Sequence, residues 1–224
     1  MREIVNISRI SFLGDIWMFD YLQGIFWSLT YICLIIYAIK FKAHGIPLVA
    51  ICLNFAWETV ALANSMHNRD LSAILIIHIL WFSLDLIIVN LFLFQETRIH
   101  ENKKPKLIFI ISYICLVMCF WIFFEKGYML LLSYLSDLIM AIAFYFFVLF
   151  DRVKQHCISY LVGFFKFFGD MFAWLYYRDA VYIEVIGIIV LICNIAYIVV
   201  LLKKSNLRLL VHKINEKKRS HRRR

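Results

Sequence analysis

The sequence predicts an all-α polytopic membrane protein, a bundle of seven transmembrane helices, and three observations carry that prediction. The chain of 224 residues is 63% hydrophobic and only 17% charged, with a mean hydropathy of +0.80. That leaves too little polar surface to cover a water-soluble globule. Its apolar residues gather into runs of the length a bilayer crossing needs, about 20 residues. Lys and Arg alternate in density between the short segments that join those runs.

Seven spans follow in order. Residues 22–40 form the first, which serves as its own insertion signal, since no short apolar core with a small-residue cleavage site precedes it. The apolar stretch 4–19 is interrupted by Arg9, Gly14 and Asp15, so a short interfacial segment is expected there. The second span, 45–65, carries Asn54 and Glu58, and the third, 71–95, carries His78 and Asp85. The polar loop 96–106 follows, and Pro105 stands where a helix start tolerates it. The fourth span is 107–125. The fifth, 129–150, holds Ser133 and Asp137, the sixth, 156–176, holds Lys166 and Asp170, and the seventh, 181–203, holds Asn194. Residues 1–203 thus make one membrane domain, and 204–224 a basic cytoplasmic tail.

Counting Lys and Arg on alternate sides sets the direction. With the N-terminus outside, eighteen fall inside and five outside, the asymmetry that the positive-inside rule demands. Ten of the 24 basic residues lie after Leu202. A basic run beside a span fixes topology and touches anionic lipid headgroups, so the net charge of +9 is assigned to membrane lipids and not to nucleic acid. The six cysteines lie in or beside apolar runs without a CxxC pair, which points to neither a disulfide framework nor a zinc site.

A charged side chain at the bilayer centre costs about 2.5–3.5 kcal/mol by insertion scales, so each one calls for a partner, a cavity or a function. Residues four apart on a helix differ by about 40° and residues seven apart by about 20°. Asn54/Glu58, His78/Asp85, Ser133/Asp137 and Lys166/Asp170 therefore each share a face, and four helices present a polar stripe. In the stated orientation Glu58, His78, Asp137, Lys166 and Asp170 fall in the outer half of the bilayer, with Asp85 and Asn194 near its middle. These residues are expected to line one pocket inside the bundle. The structural alternative is that Lys166 neutralises a neighbouring carboxylate and that Asn54, Ser133 and Asn194 join helices by hydrogen bonds. One lysine cannot serve four carboxyls, however, so some are expected to hold a proton, and a protonated acid in an apolar site is a usable general acid. Trp57, Trp81, Phe82, Trp121, Tyr134 and Trp174 lie near these positions, and aromatic faces stabilise cations by about 0.5–2 kcal/mol.

The string Asn54-Phe55-Ala56-Trp57-Glu58, an N-x-x-W-E pattern, resembles the integral membrane terpene cyclases of fungal meroterpenoid and indole-diterpene pathways. Trp81-Phe82-Ser83-Leu84-Asp85 is similar to that family's W-x-x-x-D. The resemblance implies a seven-helix fold and acid-initiated cyclisation of a polyprenyl or epoxy-polyprenyl substrate. Glu58 would be the proton donor, and Asp85 a second acid or the group that orients the first. Asn54 and Trp57 would shape the site, with His78, Trp81, Tyr134, Asp137, Asp170, Trp174 and Asn194 around the substrate. Where the family has an acid before a Tyr in its last span, this chain has Asn194 ahead of Tyr197. Asp170 or Asp137 would then substitute.

With no DDxxD-type aspartate cluster in the sequence, no metal and no cofactor are expected. The expected partners are membrane lipids and a lipophilic isoprenoid. The expected location is the plasma membrane of a prokaryote or the endoplasmic reticulum of a eukaryote. A proton-coupled transporter and a non-catalytic lipid-binding protein are the competing readings. Against a retinal photoreceptor, the last span lacks a mid-membrane lysine. Against a metal hydrolase, His78 is the only histidine well inside a span.

Overall fold

The structure is a computed structural model that describes residues 10–42, 45–67, 73–99, 104–150, 159–178 and 181–221. The expected segment before residue 10, the loop residues 100–103, the lead-in to the sixth span and the last three residues of the tail lie outside the described residues. Seven helices follow one another: α1 Ile10–Phe41, α2 Leu48–His67, α3 Ala73–Ile99, α4 Lys104–Glu125, α5 Met129–Phe150, α6 Tyr160–Tyr177 and α7 Val181–His221. The described residues form no strand.

Six of the helices are long and apolar enough to cross a membrane. The one that does not meet that measure is α6, which at 18 residues is about 27 Å long at 1.5 Å per residue. It carries Lys166 and Asp170, and both are buried. Its polarity is therefore sheltered inside the bundle, where α6 lies against α1 on one side and α7 on the other. The outside of the bundle is apolar, with Ile108, Ile111, Ile114, Met118 and Ile122 of α4 all exposed. A chain that turns hydrocarbon outward and ionisable groups inward has lipid as its solvent, and the protein is a multi-pass membrane protein.

Packing sets which helix is central. In α2, 56% of the spanning window is buried, against 11% in α4, so α2 forms the middle of the bundle and α4 its rim. Ala50, Cys52, Ala56, Ala61 and Ser65 of α2 are buried, and such small residues let α3, α4 and α5 come close. On α6, Gly163 and Gly169 do the same work. A Cβ on Gly163 would lie 2.6 Å from the Tyr197 ring, and one on Gly169 would lie 2.8 Å from Trp27.

The ends of the helices follow local rules. Ser159 caps α6, its hydroxyl accepting from the Leu161 N–H at 3.1 Å. Gly127, at φ +79°, closes α4: its N–H bonds to Phe124 O at 2.9 Å and that of Tyr128 bonds to Phe123 O at 3.1 Å, the Schellman pattern. Lys204 at the end of the α7 span reaches the carbonyls of Val148 and Leu149 at the end of α5, joining two helices that run in the same direction.

Two helices run beyond the predicted spans. Gly14 and Asp15 do not break the backbone, because α1 runs unbroken from Ile10 through the span Met18–Phe41. One glycine costs a helix about 1 kcal/mol, too little to end a helix that continues into a span. Likewise α7 continues beyond its apolar part, Val181–Lys204, as helix to His221.

Gly163→Ala forces Tyr197 and Ile198 away from α6 and is expected to cost about 1–3 kcal/mol. Thermal unfolding in detergent reads this as a lowered midpoint with the helical content unchanged at low temperature.

Candidate active site

The four polar stripes meet. Because α2 and α3 are antiparallel neighbours, Asn54 and Glu58 on one oppose Asp85 and His78 on the other. The Asn54 amide donates to Asp85 Oδ2 at 2.7 Å and also to the Tyr31 hydroxyl of α1. His78 Nδ1 lies 3.0 Å from Glu58 Oε2. Glu58 is 2% exposed and Asp85 4%, so each buried acid has a partner from a neighbouring helix, as a low-dielectric interior requires.

A second cluster stands on α5, α6 and α7. Lys166 Nζ donates to Asp137 Oδ1 at 2.8 Å and to Asp170 Oδ2 at 2.5 Å. The Asn194 amide donates to the same Asp170 oxygen at 2.6 Å. The ammonium also sits 4.8 Å from the centre of the Trp27 ring, a cation–π contact. Asp170 Oδ1 is buried and has no hydrogen-bond partner among the described residues, and the same is true of Tyr134 Oη and Gln23 Oε1.

Between the clusters lies a cavity of about 100 Å³. Asn54, Trp57 and Glu58 of α2 form one wall. Ser133, Tyr134, Asp137 and Met140 come from α5, Asp170 and Tyr177 from α6, and Trp81 from α3. The α1 residues Gln23, Trp27 and Tyr31 complete it. A second space of about 30 Å³ shares Trp27, Tyr31, Asn54 and Met140 with the first and is lined as well by Leu34, Ile51, Ile88, Phe144 and Asp85. Both are lined mostly by apolar side chains, with acids at separate points of the wall, a lining that suits a lipophilic molecule with few polar atoms. The rings are fixed by their neighbours: Trp57 packs edge-on to Phe120 at 6.0 Å, Tyr134 edge-on to Tyr177 at 6.3 Å, and the Trp81 indole N–H donates to Ser28 Oγ at 3.1 Å.

A family model described as Pyr4-like transmembrane terpene cyclases matches residues 13–203, the whole of this bundle. The chain belongs to that family. It is also 32% identical over 75 residues to terpene cyclase pyr4 of Aspergillus fumigatus, a match covering 33% of this chain and 28% of that protein. No solved structure matches the chain.

In this terpene cyclase family member the residues singled out by sequence fall into three groups. Asn54, Trp57, Glu58, Trp81, Tyr134, Asp137 and Asp170 line the main cavity, and Asp85 lines the second space. His78 and Asn194 stand one hydrogen bond behind it, on Glu58 and Asp170. Trp174 lines neither space: its indole lies against the backbone of Gly187 on α7. Trp121 is exposed, and its N–H is bonded to Glu125. Sequence reasoning missed α1 altogether. Gln23, Trp27 and Tyr31 recur every fourth residue and so share one face, and that spacing was the available signal.

Removing the lysine strands the buried Asp170 and the partly buried Asp137. Lys166→Met is expected to cost about 3–5 kcal/mol, read as a lowered unfolding midpoint in detergent. The double variant Lys166→Met/Asp170→Asn should recover part of that loss.

Proposed function

We propose that the protein is an acid-initiated terpene cyclase acting on a polyprenyl or epoxy-polyprenyl chain that enters from the bilayer. One observation carries this reading. Glu58, buried and without a lysine or arginine partner among the described residues, opens onto a cavity walled by Trp27, Tyr31, Trp57 and Trp81.

Glu58 transfers its proton to the terminal alkene or epoxide of the folded chain. The π electrons of successive double bonds close carbon–carbon bonds, and positive charge moves along the chain. Water would capture that charge, and a dry chamber with aromatic faces keeps it for ring closure. The last cation loses a proton to a base. We assign that role to Asp170 Oδ1, which lines the cavity away from Glu58 and has no hydrogen-bond partner among the described residues. The sum is an isomerisation without redox change. Asn54, tied to Asp85 and Tyr31, holds the wall beside Glu58 in register. In place of an acid on α7, Asn194 steadies Asp170 on α6, so the acidic function moves one helix over. The bundle is oriented with its N-terminus outside, by the Lys and Arg asymmetry.

General acids of this type contribute about 10²–10⁴-fold, so Glu58→Gln is expected to remove cyclised product to that extent while the protein still extracts and folds. Mass spectrometry of lipids from expressing cells checks it through a product isomeric with its linear precursor. Undiminished product from that variant contradicts the assignment. A metal chelator is expected to leave the wild-type rate unchanged, and a chelator-sensitive rate opposes an acid mechanism.

A further inference from the structure

Glu58 sits midway along α2, sealed from outside. On the mechanism above it loses a proton in each turnover, and the proton shed by the final cation goes to a different carboxylate. Glu58 is then left as an anion inside the membrane and must be recharged. Hydrocarbon does not conduct protons, so the supply has to run through side chains.

One side chain reaches both places. His78 lies in the second turn of α3, which begins at Ala73, closer to its helix end than Glu58 is to that of α2, and its Nδ1 lies 3.0 Å from Glu58 Oε2. Its side chain is 13% exposed, against 2% for Glu58. The Trp81 ring holds it edge-on at 6.1 Å. It lines neither cavity, so it has no place to touch substrate. The charged groups acting on it among the described residues are Glu58 from α2 and half-buried Asp20 from α1.

We propose that His78 is the conduit that returns a proton to Glu58 between turnovers, an inference that rests on Glu58 being the acid. A proton from water at the membrane boundary binds Nε2 while the Nδ1 proton passes to Glu58 Oε2. One N–H bond forms and another breaks, and the ring stays neutral. A half-turn about Cβ–Cγ then exposes Nδ1 to the boundary, where exchange with water restores the starting tautomer. Asp20 draws protons toward the ring.

The test uses purified protein in lipid nanodiscs with a polyprenyl substrate the wild type cyclises, comparing a single turnover under excess protein with steady-state turnover. In His78→Asn the amide nitrogen replaces Nδ1–H as a hydrogen-bond donor but carries no proton across. The first turnover is expected to survive, while steady-state turnover falls about 10²-fold. In His78→Ala, added imidazole is expected to restore steady-state turnover in proportion to its concentration. His78→Gln serves where the Asn variant unfolds. Wild-type steady-state turnover in His78→Asn overturns the relay, and so does loss of the first turnover as well, which makes His78 a support for Glu58 only. Glu58→Gln in the same assay separates the two claims. No product from it upholds the acid, whatever the histidine variants do, whereas single-turnover product removes the acid and the relay together.

Discussion

The cost of placing a charge in hydrocarbon governs this protein. Each ionisable side chain inside the bundle must find a partner on another helix, and two interlocks result. Asn54 and Glu58 meet Asp85 and His78 across α2 and α3. Lys166 gathers Asp137 of α5 and Asp170 of its own helix, with Asn194 of α7 closing the set. These contacts set register in an environment where hydrophobic burial gives helices no reason to prefer one rotation over another.

The interlocks also divide the chemistry. A lysine with two carboxylates fixes charge in place, and the Trp27 face covers the ammonium. Glu58, whose partner among the described residues is the His78 imidazole, is on the proposed mechanism an acid whose proton is given away and returned. The chamber runs between these two kinds of site. Its aromatic walls are set at defined angles by neighbouring rings, and the close approach of Tyr197 and Trp27 to α6 depends on glycines where any side chain would collide.

Much of this was legible before any coordinates. Hydropathy alone marks six of the spans, because lipid asks for one length and one polarity of a crossing, and α6 departs from it by carrying buried Lys166 and Asp170. Helical spacing correctly grouped the polar residues into faces, and family strings pointed to Asn54, Glu58 and Asp85. What stayed hidden depends on packing. Trp174 looks like any other aromatic wall in sequence, yet the space over Gly187 draws it away from the chamber. Tyr31 and Trp27 look like ordinary aromatics of a first span until α6 is laid beside them. The replacement of an acid by Asn194 reads as a loss in one dimension. In three it is a hydrogen bond to the acid one helix away.

The central claim is that Glu58 carries a transferable proton in a chamber open to lipophilic molecules. A hydrophobic carbodiimide, which enters from the bilayer and reacts with protonated carboxyls, tests that most directly on the purified protein, with peptide mass spectrometry locating the adduct. The account predicts an adduct on Glu58, loss of turnover in step with labelling, and protection by a bound polyprenyl chain. A folded protein in which Glu58 stays unlabelled under conditions that modify other membrane carboxyls would contradict it.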